Sequence, residues 1–257
     1  MYQAHIEAEI RREGFAIVGP VVDPETITHM REALQRAVDE DLAKWSANPW
    51  YKDHWMVHNL MLRDPLFLEF LKNGVMHEYL SRLLSPACIL YAYTSSSLPA
   101  NGSNYSRRIH VDSQAATTDC ITNVGVLVAL DDFTDDNGAT YYLPGSHLSL
   151  EAPTEEHFFA NAVRVHPKAG EAVIFNARTF HYGGVNTTNR PRHAITLNVC
   201  RHWMKQRFDY PGMLDAAQLD TLGEVGRRFI GMDSRIPGSL DQYYVAPEDR
   251  LFKAGQY

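Results

Sequence analysis

RRIHVDSQ at residues 107–114 leads into CITNVGVLVAL at residues 120–130, and how these two segments are read decides the fold. The second is rich in β-branched residues on both faces, and the acidic turn DDFTDDNG follows it. It reads as a buried strand. The first places His110 and Asp112 two residues apart. On a strand, positions i and i+2 face the same way, so an imidazole and a carboxylate stand side by side while Val111 faces away. Such a pair either decorates a polar surface strand or supplies two ligands to one metal ion.

The same strand character extends in both directions. Upstream, CILYAYTSS (88–96) is a strand and LPANGSNYS (98–106) a loop rich in turn formers. Downstream come ATYYLPGSH (139–147), then AVRVHPKAGEAVIFNARTFHYGG (162–184) as two strands broken at KAG, and RHAITLNVCRHW (192–203). Short strands separated by turn signals predict a β-sandwich or barrel. The first hundred residues predict helices instead. DPETITHMREALQRAVDEDLAKW (23–45) has Asp23 as N-cap and Pro24 at the first helical position, with Ile27, Met30, Leu34, Val38 and Leu42 in one stripe. DPLFLEFLKNG (64–74) repeats the Asp-Pro start and is expected to stop at Gly74, and VMHEYLSRLL (75–84) is a further short helix before Pro86. Each helix has one apolar face and is expected to pack on something flat. The predicted class is α+β with a mainly β core, flanked by helices from the N-terminal third.

A length of 257 residues suits a single domain, with a helical buttress over 1–86, a β core over about 87–205 and a helical or loop segment over 206–257. A net charge of −7 predicts no nucleic-acid partner. No run is long and apolar enough to predict a membrane span, and the first residues contain no apolar signal region. Three widely spaced cysteines, Cys88, Cys120 and Cys200, predict reduced thiols and a cytoplasmic location rather than a disulfide framework or a zinc site.

A metal site built on His110 and Asp112 needs a third ligand. His181, at the end of an apolar strand and just before Gly183 and Gly184, is the best candidate. Two histidines and a carboxylate on one face of an iron leave the other face open, the arrangement of non-haem Fe(II) oxygenases. The resulting single positive charge suits an anionic, bidentate 2-oxo acid. The far carboxylate of 2-oxoglutarate then calls for another cation, and Arg190 and Arg192 are both available; arginine can hold a carboxylate through two parallel hydrogen bonds.

HVD at 110–112, LDDFTDDNGATYYLPGSH at 130–147 and FHYGGVNTTNRPRHAI at 180–195 together resemble the phytanoyl-CoA dioxygenase family of Fe(II)- and 2-oxoglutarate-dependent oxygenases. The resemblance spans roughly residues 12–205 and includes GFAIVGPVVDPETI near the start. It implies a double-stranded β-helix, a cupin-like jelly roll. It also implies iron ligation by His110, Asp112 and His181, and cosubstrate binding by Arg192, eleven residues past His181. Asn123 and Tyr93 are further candidates for cosubstrate contact. Asn123 and Gly125 share a strand face, and the small residue is expected to leave room for the cosubstrate. Dioxygen is the second cosubstrate. Asp112 occupies the position where halogenating relatives carry Gly or Ala, which favours hydroxylation or another oxidation over halogenation. Epimerisation, cyclisation and desaturation are alternative outcomes, and a non-redox cupin-type metalloenzyme or ligand-binding module is the rival reading.

Other polar residues have plainer readings. His147 is expected to bond backbone in a turn, and His193 and His202 to pack or face solvent. His58, in an aromatic-rich segment, is either core or pocket wall. DDFTDDNGATYY lacks the glycine and terminal glutamate of a calcium loop. Arg107, Arg108, Arg201 and Lys205 read as solvated cations, with an anionic substrate at the barrel mouth as the alternative. The expected partner is a small molecule such as an amino acid or secondary-metabolite intermediate, bound by residues 50–62 and 99–106, with no membrane partner and a monomer or homodimer in solution. The segment from 240 onward is expected to cover the mouth or make a dimer contact.

Overall fold

The computed structural model describes residues 3–113 and 120–253. In chain order its elements are α1 (Ala4–Glu13), β1 (Phe15–Val18), α2 (Pro24–Trp45), α3 (Pro65–Phe70), α4 (Gly74–Leu83), β2 (Ile89–Ser95), β3 (Asn123–Ala129), β4 (Tyr141–Tyr142), α5 (Glu155–Asn161), β5 (Val163–Arg164), β6 (Ala172–Asn176), β7 (His181–Tyr182) and β8 (Ala194–Cys200). Short helices α6 (Tyr210–Met213), α7 (Ala216–Thr221), α8 (Gly223–Phe229) and α9 (Leu240–Tyr243) follow.

The strands form two antiparallel sheets. The major sheet runs β1-β6-β3-β8-β2 and the minor one β5-β4-β7. The period-2 pattern divides the major sheet into two faces. Val124, Val126, Val128, Ile195, Leu197 and Val199 turn outward and join the helices in one apolar cluster, with Met30, Leu34, Phe67 and Leu80 among its members. Leu127, Ala129, Val173, Phe175 and Ala194 turn inward and meet Tyr142 and Val165 from the minor-sheet side. Both faces of β3 are therefore buried, as its β-branched composition requires.

The helical reading holds at α2. The Asp23 carboxylate accepts hydrogen bonds from the backbone N–H groups of Glu25 and Thr26, and Ile27, Met30, Leu34 and Val38 are buried. Gly74 departs from expectation: it opens α4 instead of ending α3, because the Asn73 side chain caps the new helix by accepting from Met76 N. A second departure is β1. Phe15 and its neighbours form an edge strand paired with β6, within a region that reads as helical. A four-residue element is too short to show a period of its own, and tertiary pairing decides it.

Gly125 sits opposite Phe175 in the β3–β6 register. A Cβ on Gly125 would come within 2.1 Å of the Phe175 ring. The space this glycine leaves is thus filled by an aromatic ring, not by the cosubstrate expected there. Phe175 in turn packs 5.3 Å from Tyr142 and 5.3 Å from His181, ring centre to ring centre. Gly125→Ala is expected to cost about 1–3 kcal/mol through overpacking and to weaken divalent-metal binding by displacing His181. Calorimetric melting with and without ferrous ion checks both effects; unchanged melting in both conditions would contradict this packing.

Candidate active site

The segment holding His110 and Asp112 is not a ladder strand. His110 makes a single antiparallel bridge to His181, exchanging both backbone hydrogen bonds at 3.0 and 2.9 Å. Asp112 is held separately, its N–H donating to Ala177 O at 2.8 Å. His181 does not extend the AVIF strand either. A turn after Asn176 carries the chain to the minor sheet, where His181 pairs with Tyr142. Two irregular anchors and a sheet change replace the simple strand geometry, and the three side chains still meet.

Asp112 Oδ1 lies 3.6 Å from His110 Nε2 and 3.7 Å from His181 Nε2. The three donor atoms all fall within 4.8 Å of one another. Both imidazoles are oriented from behind: His110 Nδ1 bonds the Arg108 carbonyl at 2.8 Å and His181 Nδ1 the Thr179 carbonyl at 3.0 Å. A carbonyl only accepts, so each Nδ1 carries the hydrogen and each Nε2 presents a lone pair to the common point. Burial, reinforced by the neighbouring His181 and partly offset by Asp112, pushes the His110 imidazole down to about 4. It is neutral at pH 7, the form that binds metal. A pre-aimed pair of imidazoles beside a carboxylate fits a divalent ion.

Arg192 is buried at 2% exposure, whereas Arg190 is exposed. Its Nη1 donates to Ser96 O at 2.9 Å and its Nη2 to Gly138 O at 3.4 Å, and the guanidinium lies 4.1 Å from the Phe133 ring centre. Burial pushes it down to about 9, with partial relief from Asp131 and Tyr142. Among the described residues its Nε has no hydrogen-bond partner, and neither does the hydroxyl of fully buried Tyr142. Leaving such groups unpaired costs about 1–3 kcal/mol each, more for a charged group. Ser96 and Tyr142 both line the cavity that contains the cluster, so the guanidinium stands directly behind its wall. Two orphaned donors beside a metal cluster fit the far carboxylate of a 2-oxo diacid.

The other two candidates lie elsewhere. Tyr93 points to the outer face of the major sheet, where its hydroxyl donates to Phe67 O at 3.2 Å among the helices. Asn123 faces inward but does not line the cavity. Its Nδ2 donates to Asn198 Oδ1 at 2.8 Å and its Oδ1 accepts from Ser113 Oγ at 3.0 Å, next to Asp112 in sequence.

The cavity measures about 350 Å³. Its wall takes Asp53, Met56 and His58 from the aromatic-rich segment and Tyr105 and Ser106 from the turn-rich loop. His58 is therefore wall, not core. None of the described residues from 240 to 253 lines the cavity, and residues 254–257 lie outside the described chain. His147 bonds backbone, its Nε2 on Arg11 O at 3.1 Å. His193 packs, its Nδ1 2.9 Å from Ser97 Oγ. Sequence reading missed Tyr142 and the polar pair Thr196 and Asn198, which also line the cavity. For the pair the signal was present: in ITLNV they alternate with apolar residues, which places them on the inner face.

Two antiparallel sheets with helices behind the major one make this a jelly roll of the α+β class. Within that class the chain belongs to the phytanoyl-CoA dioxygenase family, whose sequence profile matches residues 10–194. It is 30% identical over 251 residues to an uncharacterized protein of Mycobacterium tuberculosis, covering 95% of this chain and 92% of that one. The Fe(II)/2-oxoglutarate-dependent dioxygenase nvfF of Aspergillus novofumigatus is 30% identical over 189 residues, 69% of this chain and 61% of nvfF. Among solved structures, EctD from S. alaskensis with 2-oxoglutarate and 5-hydroxyectoine superposes with a TM-score of 0.63 at 17% identity, covering 78% of this chain and 76% of EctD. No described helix is long and apolar enough to cross a membrane.

Proposed function

We propose that this dioxygenase uses ferrous iron and 2-oxoglutarate to hydroxylate an unactivated C–H bond of a small molecule. One observation carries the reading: His110 and Asp112 converge with the distant His181, and the buried Arg192 guanidinium behind the same cavity wall has an N–H without a partner among the described residues. His110 and His181 would hold the metal through Nε2 and Asp112 through its carboxylate, with the Arg108 and Thr179 carbonyls fixing the imidazole tautomers. Arg192 and Tyr142 would donate to the far carboxylate of 2-oxoglutarate. When bound, iron, 2-oxoglutarate and dioxygen supply the oxidising chemistry, with succinate and carbon dioxide as coproducts. Phe175, Leu127 and Tyr142 keep the cosubstrate end of the cavity dry, which strengthens every charge interaction there. We read residues 1–257 as one such domain, and its three unpaired thiols fit a reducing, cytoplasmic setting.

Anaerobic titration tests the reading. Ferrous ion and 2-oxoglutarate together are expected to produce a weak visible charge-transfer band that neither produces alone. Admission of oxygen is expected to yield succinate. Turnover that needs no oxygen, or a mixture that stays colourless, would count against it.

A further inference from the structure

The cavity carries more charge than metal and cosubstrate binding use. Among the described residues its only carboxylates are Asp53 and Asp112. Asp112 belongs to the metal cluster, and Asp53 is engaged by His58, Oδ2 to Nε2 at 2.9 Å. The wall also holds two arginines. The Arg108 guanidinium lies 4.0 Å from the Tyr105 ring centre, and the Arg207 backbone N–H donates to Tyr91 O at 3.0 Å. Neither side chain has a carboxylate partner among the described residues. Arg11, Arg12, Arg31, Arg36, Arg63, Arg164 and Arg227 all do.

The uncharged part of the wall leans the same way. Thr94 and Thr196 bond each other at 2.7 Å. Asn198, which lines the cavity, spends its carbonyl on Asn123, so what its side chain has left to offer is amide N–H donors. Among the described residues an entering ammonium would find no free acid, whereas an entering anion would meet two guanidiniums without carboxylate partners. At about 350 Å³ the space lies at the small end of ligand sites. Resting on the oxygenase reading above, we infer that the substrate is a small molecule of net negative charge whose carboxylate or phosphoryl group is held by Arg207 and Arg108. This ranks small anions above cations and above zwitterions such as neutral amino acids, whose ammonium meets no free acid among the described residues. Guanidinium suits both anions, because its planar fork pairs with carboxylate and phosphate alike.

The test uses the full chain with ferrous ion and 2-oxoglutarate. A panel of small carboxylic acids and phosphate monoesters is matched with the corresponding primary amides and free alcohols. Two signals are read: the shift of the anaerobic charge-transfer band and aerobic succinate release. Anions, but not their neutral partners, are expected to shift the band and stimulate release, and the more effective arm identifies the anion. For the best anion, Arg207→Gln and Arg108→Gln are each expected to raise KM about tenfold with little change in kcat. Lysine at either position should restore part of the loss, because it keeps the charge but lacks the planar fork. KM should also rise with salt, since both side chains are exposed. A band that forms but responds equally to neutral compounds, or to none, overturns this inference alone, as does a double glutamine variant with wild-type KM. A band that never forms overturns the metal reading and this inference with it.

Discussion

His110→Ala and Asp112→Ala are each expected to reduce iron-dependent succinate release by about a thousandfold or more while leaving the fold intact. Loss of an outer-shell partner of a metal ligand costs about 10–100-fold, and a lost ligand removes the donor itself. The fold should survive because neither side chain belongs to either apolar cluster of the core. Asp112 is 33% exposed and His110 14% exposed at the side chain. The backbone bonds that position them, His110 with His181 and Asp112 N–H to Ala177 O, do not depend on the side chain. Far-UV circular dichroism and melting should therefore match the parent within about 1 kcal/mol. Ferrous-ion affinity and succinate release should collapse together. Undiminished release in either variant would remove that residue from the metal cluster.

Arg192→Met separates binding from stability in the opposite sense. Each charged hydrogen bond to a buried carboxylate contributes more than a neutral one, and truncating one partner of such a pair costs about 2–5 kcal/mol. The dissociation constant of 2-oxoglutarate is therefore expected to rise by on the order of a hundredfold or more. The protein without cosubstrate should melt at the same temperature or higher. Among the described residues Arg192 is a buried cation with an unpaired Nε and no direct carboxylate partner, and replacing such a group with an apolar side chain of similar length is often neutral or stabilising. Asp131 is not orphaned by the change, because it keeps Arg31 at 3.1 Å and the His193 N–H at 2.7 Å. Melting curves across a 2-oxoglutarate series check both halves, since the parent gains stability with ligand concentration and the variant should not. Arg192→Lys should rescue only part of the affinity, because an ammonium lacks the planar fork. A variant that binds 2-oxoglutarate as tightly as the parent would reassign the cosubstrate pocket.

The locally encoded features were legible in the sequence. Asp23 and Pro24 announce α2 because capping is a contact between neighbours, and CITNVGVLVAL announces β3 because its branched side chains crowd a helix. Features that depend on distant partners were less legible. The Asn73 cap turned Gly74 from a stop into a start, and Phe15–Val18 became a strand only because β6 offers it an edge. The span around His110 and Asp112 invited a strand reading, yet one bridge to His181 and one bond to Ala177 do the work of a ladder.

By itself the sequence determined which chemistries the chain owns and in what order: an imidazole and a carboxylate two apart, a second imidazole far downstream, and arginines just beyond it. Tertiary structure alone decided that the backbones of those two histidines bridge each other, that Arg192 rather than Arg190 is buried, and that Tyr93 faces the helices. It also decided that Tyr142 leaves its hydroxyl unpaired at the cavity. The physical reason is range. Side-chain identity and backbone period are properties of a few consecutive residues, whereas convergence, burial and the absence of a partner are set by strand register and sheet-on-sheet packing between segments remote in the chain.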